Sequence, residues 1–114
     1  MLRHKLDQAV SKIVRKRDSR CITCNKKKTE GNAFMFAPGH LIRRGIEATR
    51  WCLKNNNLQC HFCNSMHEDD PKPYEKAFIK KYSQSEYNDL LQRSTELTNY
   101  KTYELEEMLE AIND

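Results

Sequence analysis

The sequence contains no run of eighteen apolar residues, which excludes a membrane-spanning helix as a reading of any part of it. It also shows no internal repeat and no low-complexity linker, so the 114 residues are read as a single domain. Apolar residues are scarce, at 38% against 32% charged. A chain of this size buries only roughly two-thirds of the surface that its unfolded form exposes, which leaves a thin margin of stability. The first residues are too basic and too often interrupted for a secretory signal peptide, so an intracellular, reducing location is expected.

Cysteine is what the sequence has in an ordered pattern. Cys21 and Cys24 form one Cys-x-x-Cys pair, Cys60 and Cys63 a second, and thirty-five residues lie between the pairs. Four thiolates in two close pairs suit a tetrahedral zinc site, each pair taking one edge of the metal. A reducing compartment favours thiolates on zinc over disulfides. A structural zinc in so small a domain contributes on the order of 10 kcal/mol of apparent folding free energy. Cys52 stands outside the pattern and reads as a packing residue.

Charge is unevenly distributed. Residues 1–66 hold fourteen Lys/Arg against four Asp/Glu, and residues 67–114 hold six against twelve. The first part therefore carries +10 and the second −6, consistent with the overall +4. Such asymmetry points to nucleic acid at the basic end, or simply to solvated helix faces.

In chain order, Leu2, Leu6, Ala9, Val10, Ile13 and Val14 recur at helical spacing and predict a basic amphipathic helix over residues 1–19, broken at Asp18-Ser19. Ala33 to Ala37 predicts a short strand that Pro38-Gly39 interrupts, delivering His40. A second strand is expected over Asn57 to Gln59, and a helix from Cys60 to His67. Two short strands and a helix would surround a small cleft in a core spanning residues 20–70. Residues 71–114 predict a helical extension: Pro71 and Pro73 start a helix carrying Tyr74, Phe78, Ile79 and Tyr82. Ser83-x-x-Glu86 reads as a capping box for a helix striped by Tyr87, Leu90, Leu91 and Leu97. A final acidic helix from Thr102 presents Leu105, Met108, Leu109 and Ile112. The fold class is small α+β.

A histidine on a hairpin, an asparagine close before the second cysteine pair and a polar helix after it are the parts needed for metal-assisted phosphodiester hydrolysis. A neutral imidazole can take a proton from water near neutral pH. An amide can hold that ring in one tautomer, and a divalent metal can polarise the phosphate. Arg43, Arg44 and Arg50, with Lys54, can grip flanking phosphates.

These residues resemble a known family. Gly39-His40 on a hairpin and Asn55 before a second Cys-x-x-Cys followed by Asn64 is similar to the zinc-stapled branch of the HNH, or ββα-metal, endonucleases. More narrowly, Ala37 to Ile42, Ala48-Thr49-Arg50-Trp51, Asn55, Gln59 to Asn64, Tyr74, Ile79 and Tyr82 resemble the lambdoid phage recombination proteins called NinG or Rap. The resemblance covers roughly residues 20–100. It implies an HNH-like core and a phage endonuclease that cuts branched or Holliday-junction DNA in the cytoplasm of a bacterial host, with Mg or Mn as catalytic metal. It also implies His40 as general base, Asn55 as the central asparagine with Asn57 as competitor, and Asn64 as the last residue of the motif. His67 and Asp70 are further candidates for the catalytic metal. Departures stand at Gly39, where the superfamily commonly has Asp or His, and at Ala37, where NinG-like proteins commonly have His or Asp. Two other readings remain open: a zinc module that binds nucleic acid without cleaving it, and an interaction module whose last helix docks a partner or a second copy as a homodimer.

Overall fold

The structure is a computed structural model that describes residues 1–113. The apolar stripe at its start becomes helix α1, Leu2–Arg17, with Leu6, Val10 and Val14 buried. Arg15, Lys16 and Arg17 fill its last turn, where they oppose the negative end of the helix dipole. Asp18 then leaves helical geometry for an extended conformation, as the break in the pattern predicts.

The centre is an antiparallel hairpin of β1, Phe36–His40, and β2, Asn56–Cys60, in the register Phe36–Cys60, Pro38–Leu58, His40–Asn56. The first strand departs from the sequence reading. Ala33–Met35 form a turn of 3-10 helix, and the strand runs through Pro38-Gly39 instead of stopping there. The reason lies in the ladder. Leu58, opposite Pro38, turns its N–H to an Asp18 carboxylate oxygen at 3.1 Å and its carbonyl to the Ile22 N–H at 2.8 Å. Both groups point away from β1, so Pro38 stands at a position where no N–H is required.

Strand alternation gives the hairpin two faces. Phe36 and Leu58 join Leu6, Val10, Val14 and Trp51 in the larger core on the α1 side. On the other face Asn57 meets the buried Tyr74, and Gly39 lies under the side chains of Gln59 and Asn64. Helix α2, Glu47–Arg50, interrupts the connection between the strands, and α3, His61–His67, follows β2 directly. Helix α4, Lys72–Lys81, carries Tyr74 and Phe78 into a second core with Leu41 and with Leu90 of α5, Gln84–Ser94.

The Ser83 hydroxyl accepts from the Glu86 N–H at 3.0 Å, the expected half of a capping box, while the Glu86 carboxylate turns to Lys54 at 2.9 Å. The stripe of α5 is shorter than its sequence pattern: the helix ends at Ser94, Leu91 is 41% exposed, and Leu97 beyond it is fully exposed. Helix α6, Thr102–Asn113, folds back along α1, burying Leu105 and packing Met108, Leu109 and Ile112 on the larger core. Its apolar stripe is therefore covered from within the chain. Among the described residues no helix is long and apolar enough to cross a membrane.

Leu105 is 3% exposed in the seam between the first and last helices. Leu105→Ala is expected to lower unfolding free energy by about 2–4 kcal/mol in urea denaturation. An unchanged midpoint would mean that α6 is not part of the cooperative core.

Candidate functional site

The two cysteine pairs meet. The Sγ atoms of Cys21, Cys24, Cys60 and Cys63 all lie within 4.8 Å of one another, and those of Cys24 and Cys60 are 3.8 Å apart. Tetrahedral zinc with Zn–S bonds of about 2.3 Å places its sulfurs about 3.8 Å from each other, so the donors fit that ion in chemistry and spacing. The first pair sits on a tight turn: the Asn25 N–H bonds the Cys21 carbonyl at 2.9 Å, and Asn25 adopts a left-handed backbone with φ 66°. Asparagine is among the few residues that tolerate this. The second pair uses the strand end and the first turn of α3, with Cys60 at the N-cap. Burial first, and then the crowded Cys60 and Cys24 sulfurs, push the Cys63 thiol far above its ordinary value. Sulfurs so close resist ionising together unless a divalent cation offsets their charge.

His40 closes β1 and faces α1. Its Nε2 lies 3.0 Å from the Arg50 carbonyl oxygen, which can only accept, so Nε2 carries the proton and Nδ1 keeps its lone pair. Burial lowers the His40 pKa, and the bond to the Arg50 carbonyl offsets only part of that, so the ring is neutral at pH 7. The ring borders a pocket of about 240 Å³ shared with His4, Asp7, Ser11, Arg44 and Arg50.

The three consecutive asparagines form no exposed turn; all are buried, and each makes at least two side-chain hydrogen bonds. Asn55 clips the loop after β1, accepting from the Ile42 N–H at 2.8 Å and donating to the Ile42 and Thr49 carbonyls at 3.0 Å. It fixes the backbone beyond His40 without touching the ring. Asn57 faces away, bonded to Lys54, Tyr74, Tyr82, Lys81 and Arg17. The amide nearest the ring's anchor is Asn56, which donates to the same Arg50 carbonyl at 3.1 Å. Sequence reasoning weighed its two neighbours; its signal was register, since Asn56 is the cross-strand partner of His40.

The basic residues assigned to phosphates divide. Arg44 and Arg50 reach the His40 pocket, and both are tied to Asp7 of α1, Arg44 at 2.9 Å and Arg50 through Nε at 3.0 Å. Trp51 Nε1 donates to the same carboxylate at 2.9 Å. Burial, the largest single effect, would raise the Asp7 pKa, but the hydrogen bonds from Arg50, Arg44 and Trp51 outweigh it and lower the value from 3.8 to about 2. Arg43 is exposed beside them. Lys54 does not join this group: it pairs with Glu86 and lies over the Tyr82 ring. Asp7 is the residue that sequence reasoning missed, and its one available sign was an acid within an otherwise basic helix.

The remaining candidates lie on the opposite side of the hairpin. His67 Nε2 donates to the Leu41 carbonyl at 2.8 Å, and its Nδ1 is buried without a partner. His67 and the exposed Asp70 line a pocket of about 190 Å³ with Gln59, whose own side-chain oxygen is likewise buried and unpaired. Asn64 Oδ1 lies above Gly39, 3.0 Å from where a Cβ would stand. This pocket and the His40 pocket have no lining residue in common. His40 thus stands apart from Asn64, His67 and Asp70: alternation along β1 turns His40 toward α1, while Asn64 and His67 sit on α3 and Asp70 just beyond it.

A small α+β fold whose hairpin is stapled by four cysteines able to hold a structural metal such as zinc defines a compact metal-knuckle protein. The family described as Bacteriophage Lambda NinG protein matches residues 2–114, and the chain belongs to it. No curated protein and no solved structure matches.

Two outcomes follow from this geometry. Zinc removal by a strong chelator is expected to abolish cooperative unfolding, and intact protein should contain one zinc per chain by elemental analysis; a sharp, unshifted melt after metal loss would show the sulfurs to be dispensable. The Asp7 pKa is depressed in the folded state, so its contribution is complete above 3.8 and is lost as pH falls toward about 2. Asp7→Asn should lower stability by about 1–3 kcal/mol at pH 7 and flatten the acid limb of the stability profile over that interval, measured by urea denaturation at each pH.

Proposed function

We propose that this chain is a metal-dependent DNA endonuclease of the zinc-stapled HNH (ββα-metal) kind, acting on branched or Holliday-junction DNA during phage recombination in a bacterial host. The observation that carries this reading is the state of His40. Its proton is held on Nε2 by a backbone carbonyl, its ring is neutral, and its free Nδ1 escapes the complete burial that silences the same atom of His67. In the proposed reaction, Nδ1 accepts a proton from a water molecule as that water attacks phosphorus, while the P–O bond to one sugar oxygen breaks and that oxygen takes up a proton from solvent water. Arg44 gives one terminal nitrogen to Asp7 and keeps donors for phosphate, and Arg43 extends the cationic rim. Asn55 and Asn56 act as positioning residues, one holding the loop after β1 and the other the carbonyl that anchors the ring.

Mg or Mn belongs to this reading, but the His40 pocket does not supply a seat for it. Asp7 is the one carboxylate lining that pocket, and both its oxygens are engaged by Arg44, Arg50 and Trp51. Among the described residues, the four cysteines form the only group of three or more His, Cys, Asp or Glu side chains close enough together to hold an ion. This same separation favours a second reading, a zinc module that binds nucleic acid without cutting it. Homodimer formation through the C-terminal helices would have to use the outer side of α6, where Glu106, Glu107 and Glu110 are exposed, since its apolar side faces α1.

The test is incubation of the zinc-loaded protein with a four-way junction, a flap and a linear duplex, each with Mg, with Mn and with neither. Cleavage of the branched substrates is expected, and His40→Ala should reduce it about 10²–10⁴-fold with zinc content and DNA affinity unchanged. The base must be unprotonated, and burial lowers its pKa, so the rate should rise with pH and level off below the ordinary imidazole value of 6.5. Equal cleavage by the His40→Ala protein would remove this residue from the mechanism; binding without cleavage under every metal would leave the second reading.

A further inference from the structure

A third concavity, wider than the His40 pocket and the one beside His67, lies elsewhere on the molecule. It is a cleft of about 1060 Å³ between the first cysteine turn and α4. Its walls bring together two parts of the chain that the charge asymmetry had set apart. Arg17 and Arg20 come from the basic first half, and Lys76, Lys80 and Lys81 from a helix in the acidic second half. Asp18 is the one carboxylate in the lining, and it is saturated: Arg17 binds both its oxygens at 2.7 and 2.9 Å, Lys81 lies 3.6 Å away, and the Leu58 N–H takes the remaining position. Arg20, Lys76 and Lys80 form no ion pair among the described residues. Lys76 and Lys80 are exposed and stand one helical turn apart, about 6 Å along the α4 axis. Between the cationic walls, Ile22, Ala77, Pro73 and Tyr82 supply apolar surface, with Ser19, Thr23 and Asn25 as polar groups among them.

We infer that this cleft is a nucleic-acid groove that takes a single DNA strand, with phosphates on Arg20, Lys76 and Lys80 and base faces against Ile22 and Tyr82. Cationic walls beside an apolar and aromatic surface are the combination that binds unpaired strands without sequence preference. The groove opens at Thr23 and Pro73 into the pocket that holds His67 and Asp70, so a strand lying in it is led to the α3 side of the hairpin. It shares no lining residue with the His40 pocket. Two separate contact regions are what a branched substrate requires, one for each strand that leaves the branch. The inference rests on DNA being the ligand, and not on its being cleaved.

The experiment measures anisotropy of a fluorescent oligothymidylate and of a labelled duplex across a salt series, with the full-length zinc-loaded protein. Lys76→Ala/Lys80→Ala is expected to weaken strand binding about tenfold at moderate ionic strength and to reduce the steepness of log K against log salt by about 1.4, the loss of two phosphate contacts. Lys76→Arg/Lys80→Arg should bind as the parent does. Lys5→Ala/Lys101→Ala removes the same charge from exposed positions elsewhere and should change either quantity by less than half as much. Equal losses from both alanine pairs, or an unaltered slope in Lys76→Ala/Lys80→Ala, would overturn the groove, and a greater loss for duplex than for single strand would overturn the strand assignment. Lysine-dependent binding with no cleavage under any metal supports the groove while removing the nuclease reading, so the two fail separately.

Discussion

The convergence of four sulfurs fixes most of what surrounds it. Cys60 ends β2 and caps α3, so the four-cysteine cluster sets the angle between strand and helix. Cys21 lies one residue before Ile22, whose N–H bonds the outer edge of β2 at Leu58. A two-stranded sheet is marginal alone in water, and here the knuckle shields one of its open edges. Arg15 serves the other side, donating to the Phe36 carbonyl at 3.2 Å. The hairpin is thus tied at its margins by groups that belong to neither strand.

The interior of that hairpin is unusually polar. Asn55, Asn56, Asn57 and Gln59 are each 1% exposed or less, in a chain with few apolar residues. Buried amides are costly unless they are bonded; the three asparagines bond to loop carbonyls and tyrosine hydroxyls, while Gln59 donates to Thr23 and leaves its own oxygen unpaired. Such bonds have direction, so they define one arrangement of the loop after β1 where a greasy strand would accept several. Gly39 belongs to the same network: a Cβ there would collide with the Gln59 amide, and its own carbonyl accepts from Tyr74 at 2.7 Å. The glycine before His40 is therefore matched by a glutamine lying across it.

Local patterns in the sequence were legible where one element decided them. Helix α1, the Ser83 cap, the start of α6 and the pairing of cysteines all follow from spacing within a short window. What could not be read were outcomes set by a second element. Pro38 lies inside a strand because Leu58 bonds elsewhere. Arg44 and Arg50 are tethered because Asp7 of a distant helix meets them. Asn56, and not either neighbour, shares the carbonyl that holds His40, because strand register put it there. The cationic cleft was hidden for the same reason: net charge by halves assigned α4 to the acidic end, whereas its lysines face the basic one.

The docking of α6 along α1 joins residues near the two ends of the sequence, and this has a consequence for biosynthesis. During translation the apolar stripe of α1 emerges well before its cover, so that stripe stays wetted until Leu105, Met108, Leu109 and Ile112 have all left the ribosome. The cysteine knuckle and hairpin, complete once Cys63 is made, can close around a metal well before then. The nascent chain would therefore pass through a stage in which a hairpin with its four cysteines complete carries a partly bare first helix.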